Sequence, residues 1–426
     1  MIPLILFGLF GALMFIGLPI AIALAVASMA ALGYSGMVGS SYLPQALVTS
    51  IDSFPLMAVP FFILAGELMG RGGISRRLLD VGEILFGRFT GGLALVAVAT
   101  CMFFAAISGS GPATVAAVGG ILFPAMAKRG YDPRFSVGLV ASAGCIGVII
   151  PPSIPMVVYA TSANTSVGSM FLGGVIPGLI IGSALMLVAY VISWKQRYLG
   201  SERRHSRAEI WQIVWDAKWA LAVPIIILGG IYGGVFTPTE AAAVAVIYGF
   251  VVGAFVYRDL KPADAYQVLA QSGLVSAAVM LIIGAATVFG RVLAIEGIPV
   301  MLAEQITQLT SNPVAILLLI NLLLLVVGCF METLAAIIIL TPILLPMAVK
   351  VGIDPVHFGV LMIVNLAIGM VTPPLGLNLF VGARQGNVSI EAVSRGVLPF
   401  LLAMLAVLAL LTYFPQLSLW LPSVIG

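Results

Sequence analysis

The sequence predicts an all-α polytopic membrane protein made of two inverted repeats, each with five spans, one re-entrant helical hairpin and one helix broken at a Pro-Pro pair. Composition, the spacing of the apolar runs and an internal duplication carry this prediction. Of 426 residues, 61% are apolar and 8% charged, against about 45–50% and about 25% in soluble globular domains. The 19 basic and 16 acidic residues cannot coat a globule of this size, so most of the surface must face lipid. A net charge of +3, with the basic residues in short clusters, gives no support to nucleic-acid binding. Cys101, Cys145 and Cys329 lie in apolar stretches without CxxC spacing, which argues against disulfides and zinc.

Residues 2 to 34 are apolar from the start and lack a basic n-region, so they are expected to form a membrane segment and not a cleaved signal peptide. Pro19 divides them into 2–17 and 19–34, as two short spans or one long one. Further spans are expected at 54–71, 170–195, 219–236, 240–257, 272–290 and 397–420. Residues 134–164 carry Pro151, Pro152 and Pro155, and 356–383 carry Pro373 and Pro374. A continuous helix would lose hydrogen bonds at these points, so each segment is expected to be a discontinuous helix. Residues 74–89 set Ile74, Leu78, Val81, Leu85 and Phe89 on one helical face, as an interfacial helix would. Trp211, Trp215 and Trp219 recur every four residues and form a second interfacial stripe.

Two apolar stretches, 92–127 and 313–349, are interrupted by Ser108-Gly109-Ser110-Gly111-Pro112 and by Met331-Glu332-Thr333. Reading each as a re-entrant hairpin, with both chain termini periplasmic, puts 17 Lys and Arg residues in the cytoplasm and only Arg291 and Lys350 outside. That sorting follows the positive-inside rule. Irregular backbone at mid-membrane is tolerated where protein buries it or where it lines a cavity.

Sliding the chain against itself by 222 positions aligns 122–177 with 344–399 without a gap, with 14 of 56 residues identical. The matches include Gly130 with Gly352, Asp132 with Asp354, Pro133 with Pro355, Gly147 with Gly369, and Pro151-Pro152 with Pro373-Pro374. An odd number of spans per unit inverts the second unit. The expected organisation is a first repeat at 1–198 (scaffold 1–90, hairpin 92–127, broken helix 134–164) and a basic cytoplasmic linker at 199–218. The second repeat follows at 219–426 (scaffold 219–310, hairpin 313–349, broken helix 356–383). Inverted repeats with paired broken helices are the pattern of secondary transporters, and the breaks point to the binding site.

A helix broken inside the membrane frees carbonyls at one half-helix end and N–H groups at the next, which attract a cation and an anion respectively. One sodium site is expected from Ser108, Ser110, Gly111, Gly147 and Pro151, and a second from Gly328, Glu332, Thr333, Gly369, Thr372 and Pro374. Thr114, Ser153 and Asn378 are the candidate substrate contacts. Hydroxyls and carbonyls are hard oxygen ligands suited to an alkali cation. Alternatively, Gly and Ser permit close helix packing and the prolines only kink. Glu332 at mid-depth either helps a cation site or is protonated, or else its tip reaches water; Glu67 is expected at the interface. An intramembrane serine protease would need a His base near mid-membrane, but His205 falls in the basic linker and His357 begins a span. With no HExxH or P-loop motif, no enzyme is expected and no cofactor beyond the coupling ion. The competing classes are a self-sufficient symporter and a passive anion channel.

The runs Ile107–Thr114, Gly147–Ser153, Gly369–Pro374 and Ser50–Leu56 together resemble the large, DctM-like membrane subunit of tripartite ATP-independent periplasmic (TRAP) transporters across essentially the whole chain. The resemblance implies a sodium-coupled importer of small carboxylates, of the sialic acid or C4-dicarboxylate class, in the bacterial inner membrane. It also implies an elevator fold similar to the divalent-anion/sodium symporters, a separate four-helix membrane subunit and a periplasmic substrate-binding protein. In such a fold both hairpins and both Pro-Pro helices form the transport domain. No Arg is expected at mid-membrane to clamp a carboxylate.

Overall fold

A computed structural model of the chain describes residues 2–36, 42–201, 206–301, 304 and 312–425. It is helical throughout, with no strand among the described residues. Seven helices there are long and apolar enough to cross a bilayer: Val167–Lys195, Arg207–Tyr232, Pro238–Val256, Pro262–Ile295, Pro313–Phe330, Thr333–Lys350 and Ile390–Tyr413. Ile2–Phe15 and Ile20–Ser35 are separate helices packed side by side. Pro19 ends the first run because it cannot continue the hydrogen-bond ladder, and Gly17 turns the chain at a φ of +90°. Tyr42–Ile51 meets Pro55–Arg71 at a bend of 71°.

Each interrupted stretch forms a pair of helices joined at the expected break. Gly92–Ser108 and Gly111–Lys128 make the first, Pro313–Phe330 and Thr333–Lys350 the second. The arms of the second have 18 residues each, about 27 Å at 1.5 Å per residue, so their length alone does not distinguish crossing from re-entry. Both Pro-Pro segments are broken. Pro133–Gly144 tightens into a 3₁₀ turn at Cys145–Val148, and helix resumes at Ile154–Ala163; Pro355–Gly369 stops before Leu377–Gly386. The Pro151–Pro152 and Pro373–Pro374 bonds are both cis.

The duplicated residues have duplicated local roles. Gly130 and Gly352 turn the chain at φ of +76° and +82°, where a Cβ would crowd the following carbonyl. Asp132 then caps one broken helix by accepting from the Arg134 N–H, and Asp354 caps the other by accepting from the Val356 and His357 N–H groups. Pro133 and Pro355 occupy the first helical position, where a missing N–H costs nothing.

The first arm of the first hairpin and the leading helices of both broken segments are deeply enclosed. Gly92–Ser108 and Pro133–Gly144 are apolar nearly all round and buried almost throughout, as a helix without a polar face must be. The outer arm Pro313–Phe330 instead leaves Leu318, Leu319, Leu322, Leu323 and Val326 exposed, an apolar surface suited to lipid. Inside the second half, Asn365 donates to the carbonyl and side-chain oxygens of Asn321, which donates on to Thr412.

Two expectations are revised. The helix expected at 219–236 begins at Arg207, so residues 207–218 of the linker are helical; Ser206 and Glu209 form a capping box, and Trp211 stacks on Trp215. Arg203, Arg204 and His205 lie outside the described residues. The helix Ile74–Phe86 buries the first part of its apolar stripe, Ile74, Leu78 and Val81, against Gly92–Ser108 and Arg207–Tyr232. Leu85 and Phe89 of the same stripe stay exposed, and Arg77 is stacked on Tyr257 and paired to Asp259 at 2.7 Å.

Candidate functional site

At the first hairpin tip, Gly109 ends the inner arm in the left-handed region, at φ +59°. Ser110 is extended and caps the returning arm, accepting from the Ala113 N–H. The Thr114 hydroxyl donates to the Ser110 carbonyl at 2.7 Å and lies 3.0 Å from the Ser108 hydroxyl. The 3₁₀ turn of the first broken helix closes on this tip, so that a Cβ on Gly147 would fall 2.6 Å from both the Ser110 carbonyl oxygen and the Thr114 hydroxyl. A Cβ on Gly109 would stand 3.1 Å from the Pro152 oxygen. Ser153, fully buried, starts the resumed helix as its cap and donates to the Val148 carbonyl at 2.6 Å. Ser108, Ser110, Gly111, Thr114, Gly147, Pro151 and Ser153 are thus brought together, tip against break.

The second tip has the same construction with different chemistry. The Glu332 carboxylate caps the returning arm, accepting from the Leu334 and Ala335 N–H groups at 3.1 and 3.2 Å. Gly328 and Gly369 meet backbone to backbone, a Cβ on Gly369 falling 2.6 Å from the Gly328 Cα. The Thr372 hydroxyl donates to the Ile368 carbonyl at 2.8 Å. The Thr333 hydroxyl is buried with no hydrogen-bond partner, an oxygen left without the contact that burial ordinarily demands. Pro374 is exposed and Thr372 half-buried, whereas the first break is buried almost completely.

Asn378, from the second half, is fully buried and reaches into the first. It donates to the Ala141 carbonyl at 3.1 Å and lies 3.5 Å from the Cys145 sulfur. A Cβ on Gly111 would stand 3.3 Å from its amide.

Both tips open on one cavity of about 660 Å³. Ser108, Ser110 and Gly111 line one side, Glu332 and Thr333 another. Thr114, Ser153 and Asn378 lie behind the tips and do not line it. The remaining wall comes from the helix Ala58–Arg71, through Gly66, Glu67, Gly70 and Arg71, and from Val275 and Val279 of Pro262–Ile295. Glu67 thus lines the cavity, and so does Arg71, a guanidinium that sequence reasoning did not connect with the tips. A signal was present: Gly66 and Gly70 accompany Glu67 and Arg71 on one helical face, and small residues there permit close approach. A Cβ on Gly66 would stand 3.2 Å from the Ser108 Cα. Among the described residues no group of three or more His, Cys, Asp or Glu could hold a metal ion. The oxygens gathered at the tips are hydroxyls, carbonyls and one carboxylate, a hard donor set that fits an alkali cation.

Two hairpin tips and two broken helices around one cavity, in a bundle of apolar helices, define a multi-pass membrane permease. The chain belongs to the family of the DctM component of tripartite ATP-independent periplasmic transporters, whose family model matches residues 7–417. It is 52% identical over 98% of its length to the isethionate TRAP transporter permease protein DctMQ of Oleidesulfovibrio alaskensis, and spans 66% of that protein. It is 46% identical to the C4-dicarboxylate TRAP transporter large permease DctM of Pseudomonas aeruginosa, over 89% of each chain. It is also 41% identical to the sialic acid TRAP transporter large permease SiaM of Vibrio cholerae, over 98% of this chain and 97% of that one. Among solved structures, the YdaH transporter of Alcanivorax borkumensis shares the fold. The TM-score is 0.62 at 17% identity, covering 90% of this chain and 89% of that one.

Proposed function

We propose that this permease is the membrane-crossing part of a sodium-coupled importer of a small organic anion in the bacterial inner membrane. It works with a small membrane subunit and a periplasmic binding protein, which hands the anion over. The observation that carries this is the shared cavity, on which tips from both halves of a duplicated chain converge. One half-helix end supplies carbonyls and hydroxyls for sodium, and the next supplies N–H groups for an anion. Relatives named for isethionate, C4-dicarboxylates and sialic acid share an anionic head, a carboxylate or a sulfonate, and that is the chemistry assigned to the cargo. The hairpins and broken helices travel as one body past the other helices in an elevator movement. Re-entry is supported because tips of two spanning-length hairpins line the same cavity.

Uptake into proteoliposomes tests this reading, with the sodium gradient, the small subunit and the loaded binding protein varied independently. Accumulation is expected only when all three are present. Uptake by the isolated permease would make it a self-sufficient symporter, and sodium-independent, non-saturating flux would make it a channel.

A further inference from the structure

Three charged side chains line the cavity: Glu67, Arg71 and Glu332. Two are carboxylates, which repel an anionic cargo, so Arg71 is the single cationic group on the wall. Its guanidinium is oriented by two side-chain hydrogen bonds. One terminal nitrogen donates to the Gln267 side-chain oxygen at 3.0 Å, the other to the Gln271 side-chain oxygen at 2.7 Å. Those glutamines are one turn apart on Pro262–Ile295, the neighbouring wall of the cavity. Amide oxygens orient a guanidinium without cancelling its charge, and no carboxylate of the described residues pairs with it. Glu67 sits one turn earlier on the same helix and is not joined to Arg71. The Glu332 carboxylate is engaged by the N–H groups of its own helix. A guanidinium has five N–H donors in a planar fork, so donors remain for a further acceptor while the glutamines hold their two.

We infer that Arg71 is an anion-binding residue of the cavity wall. It contacts the carboxylate or sulfonate head of the cargo from the Ala58–Arg71 wall, with Gln267 and Gln271 as its positioning residues. Cargo thus passes between a site that moves and a charge that does not, since Arg71 belongs to a helix outside the two hairpins and two broken helices. This rests on the anion-transport reading above. It adds which fixed residue the anion meets, and that a bidentate anionic acceptor is favoured over a neutral solute of equal size.

Thermal unfolding of the purified permease with its small subunit, titrated with succinate, isethionate and N-acetylneuraminate at constant sodium and ionic strength, tests it. The parental protein should be stabilised by at least one of the three. Arg71→Gln should raise the half-saturating concentration of that anion by about 10-fold or more, the scale of a lost charge-assisted pair. Arg71→Lys should recover part of the loss, because it restores charge but not the fork. Sodium alone should stabilise Arg71→Gln at its parental half-saturating concentration, which also shows that the variant is folded. Unchanged anion binding by Arg71→Gln would overturn the assignment while leaving the anion reading intact. Stabilisation of the parental protein by none of the three anions would overturn that reading, and the assignment with it.

Discussion

Ser110 and Glu332 stand 222 positions apart and do the same work: each is the extended residue at a hairpin tip whose side chain caps the returning arm. One does so with a hydroxyl and the other with a carboxyl group, so equivalent positions in the two halves carry different chemistry at the same cavity. Glu332→Gln keeps an acceptor for the cap and removes the charge. It should unfold within about 0.5 kcal/mol of the parent, whereas Glu332→Ala should lose about 1 kcal/mol with the cap. If Glu332 serves the second sodium site, the Gln variant should also need about 10-fold more sodium for half-maximal uptake. Parental sodium dependence in Glu332→Gln would reduce the residue to a helix cap.

The hydroxyls are tested separately. Ser110→Ala and Thr372→Ala should each weaken sodium binding by about 1–3 kcal/mol, or roughly 5- to 150-fold in the sodium requirement for uptake. Both variants should still insert and associate with the small subunit. Loss of uptake with an unchanged sodium requirement would return these residues to a packing role.

The contact of tip with break requires glycine on steric grounds. Gly147→Ala and Gly369→Ala drive a methyl group to within 2.6 Å of fixed atoms, and such overpacking costs about 1–3 kcal/mol. Gly273→Ala, on a helix where nothing lies within 4 Å of the added carbon, should be neutral or stabilising by up to about 1 kcal/mol. Melting temperatures of the three purified variants give the comparison; equal values would mean that tip and break do not pack as described.

Lys128 and Lys350 are equivalent residues of the duplication, both exposed at the end of a hairpin. In an inverted repeat they face opposite sides of the membrane. A cysteine replacing Lys128 should react with an impermeant reagent only from the cytoplasm, and one replacing Lys350 only from the periplasm. Reaction of both from one side would refute the inversion.

The sequence displayed most clearly what is local. A Pro-Pro pair breaks a helix wherever it stands, and Gly-x-Asp-Pro sets a turn, a cap and a first turn within four residues. Both tips and both breaks could therefore be found without knowing their neighbours. The start of the helix at Arg207 was legible too, in the Ser-x-x-Glu spacing of Ser206 and Glu209, but the surrounding basic residues favoured a linker. Glu67 and Arg71 were harder. Near a segment end they suit an interface equally well, and what takes them to the cavity is the crossing of Ala58–Arg71 against Ser108, a tertiary contact that hydropathy does not encode.

Asn378 shows how far the two halves have diverged since the duplication. The position 222 residues earlier is Met156, a thioether that cannot donate to a backbone carbonyl; the tie from the first broken helix to the second is made instead by Tyr159, whose hydroxyl donates to the Pro355 carbonyl at 2.7 Å. The halves are therefore no longer interchangeable parts. A tandem of two first halves would lack the amide that joins Leu377–Gly386 to Ala141 and Cys145. The matched turns, caps and breaks recur in both halves, while different side chains tie each half to the other.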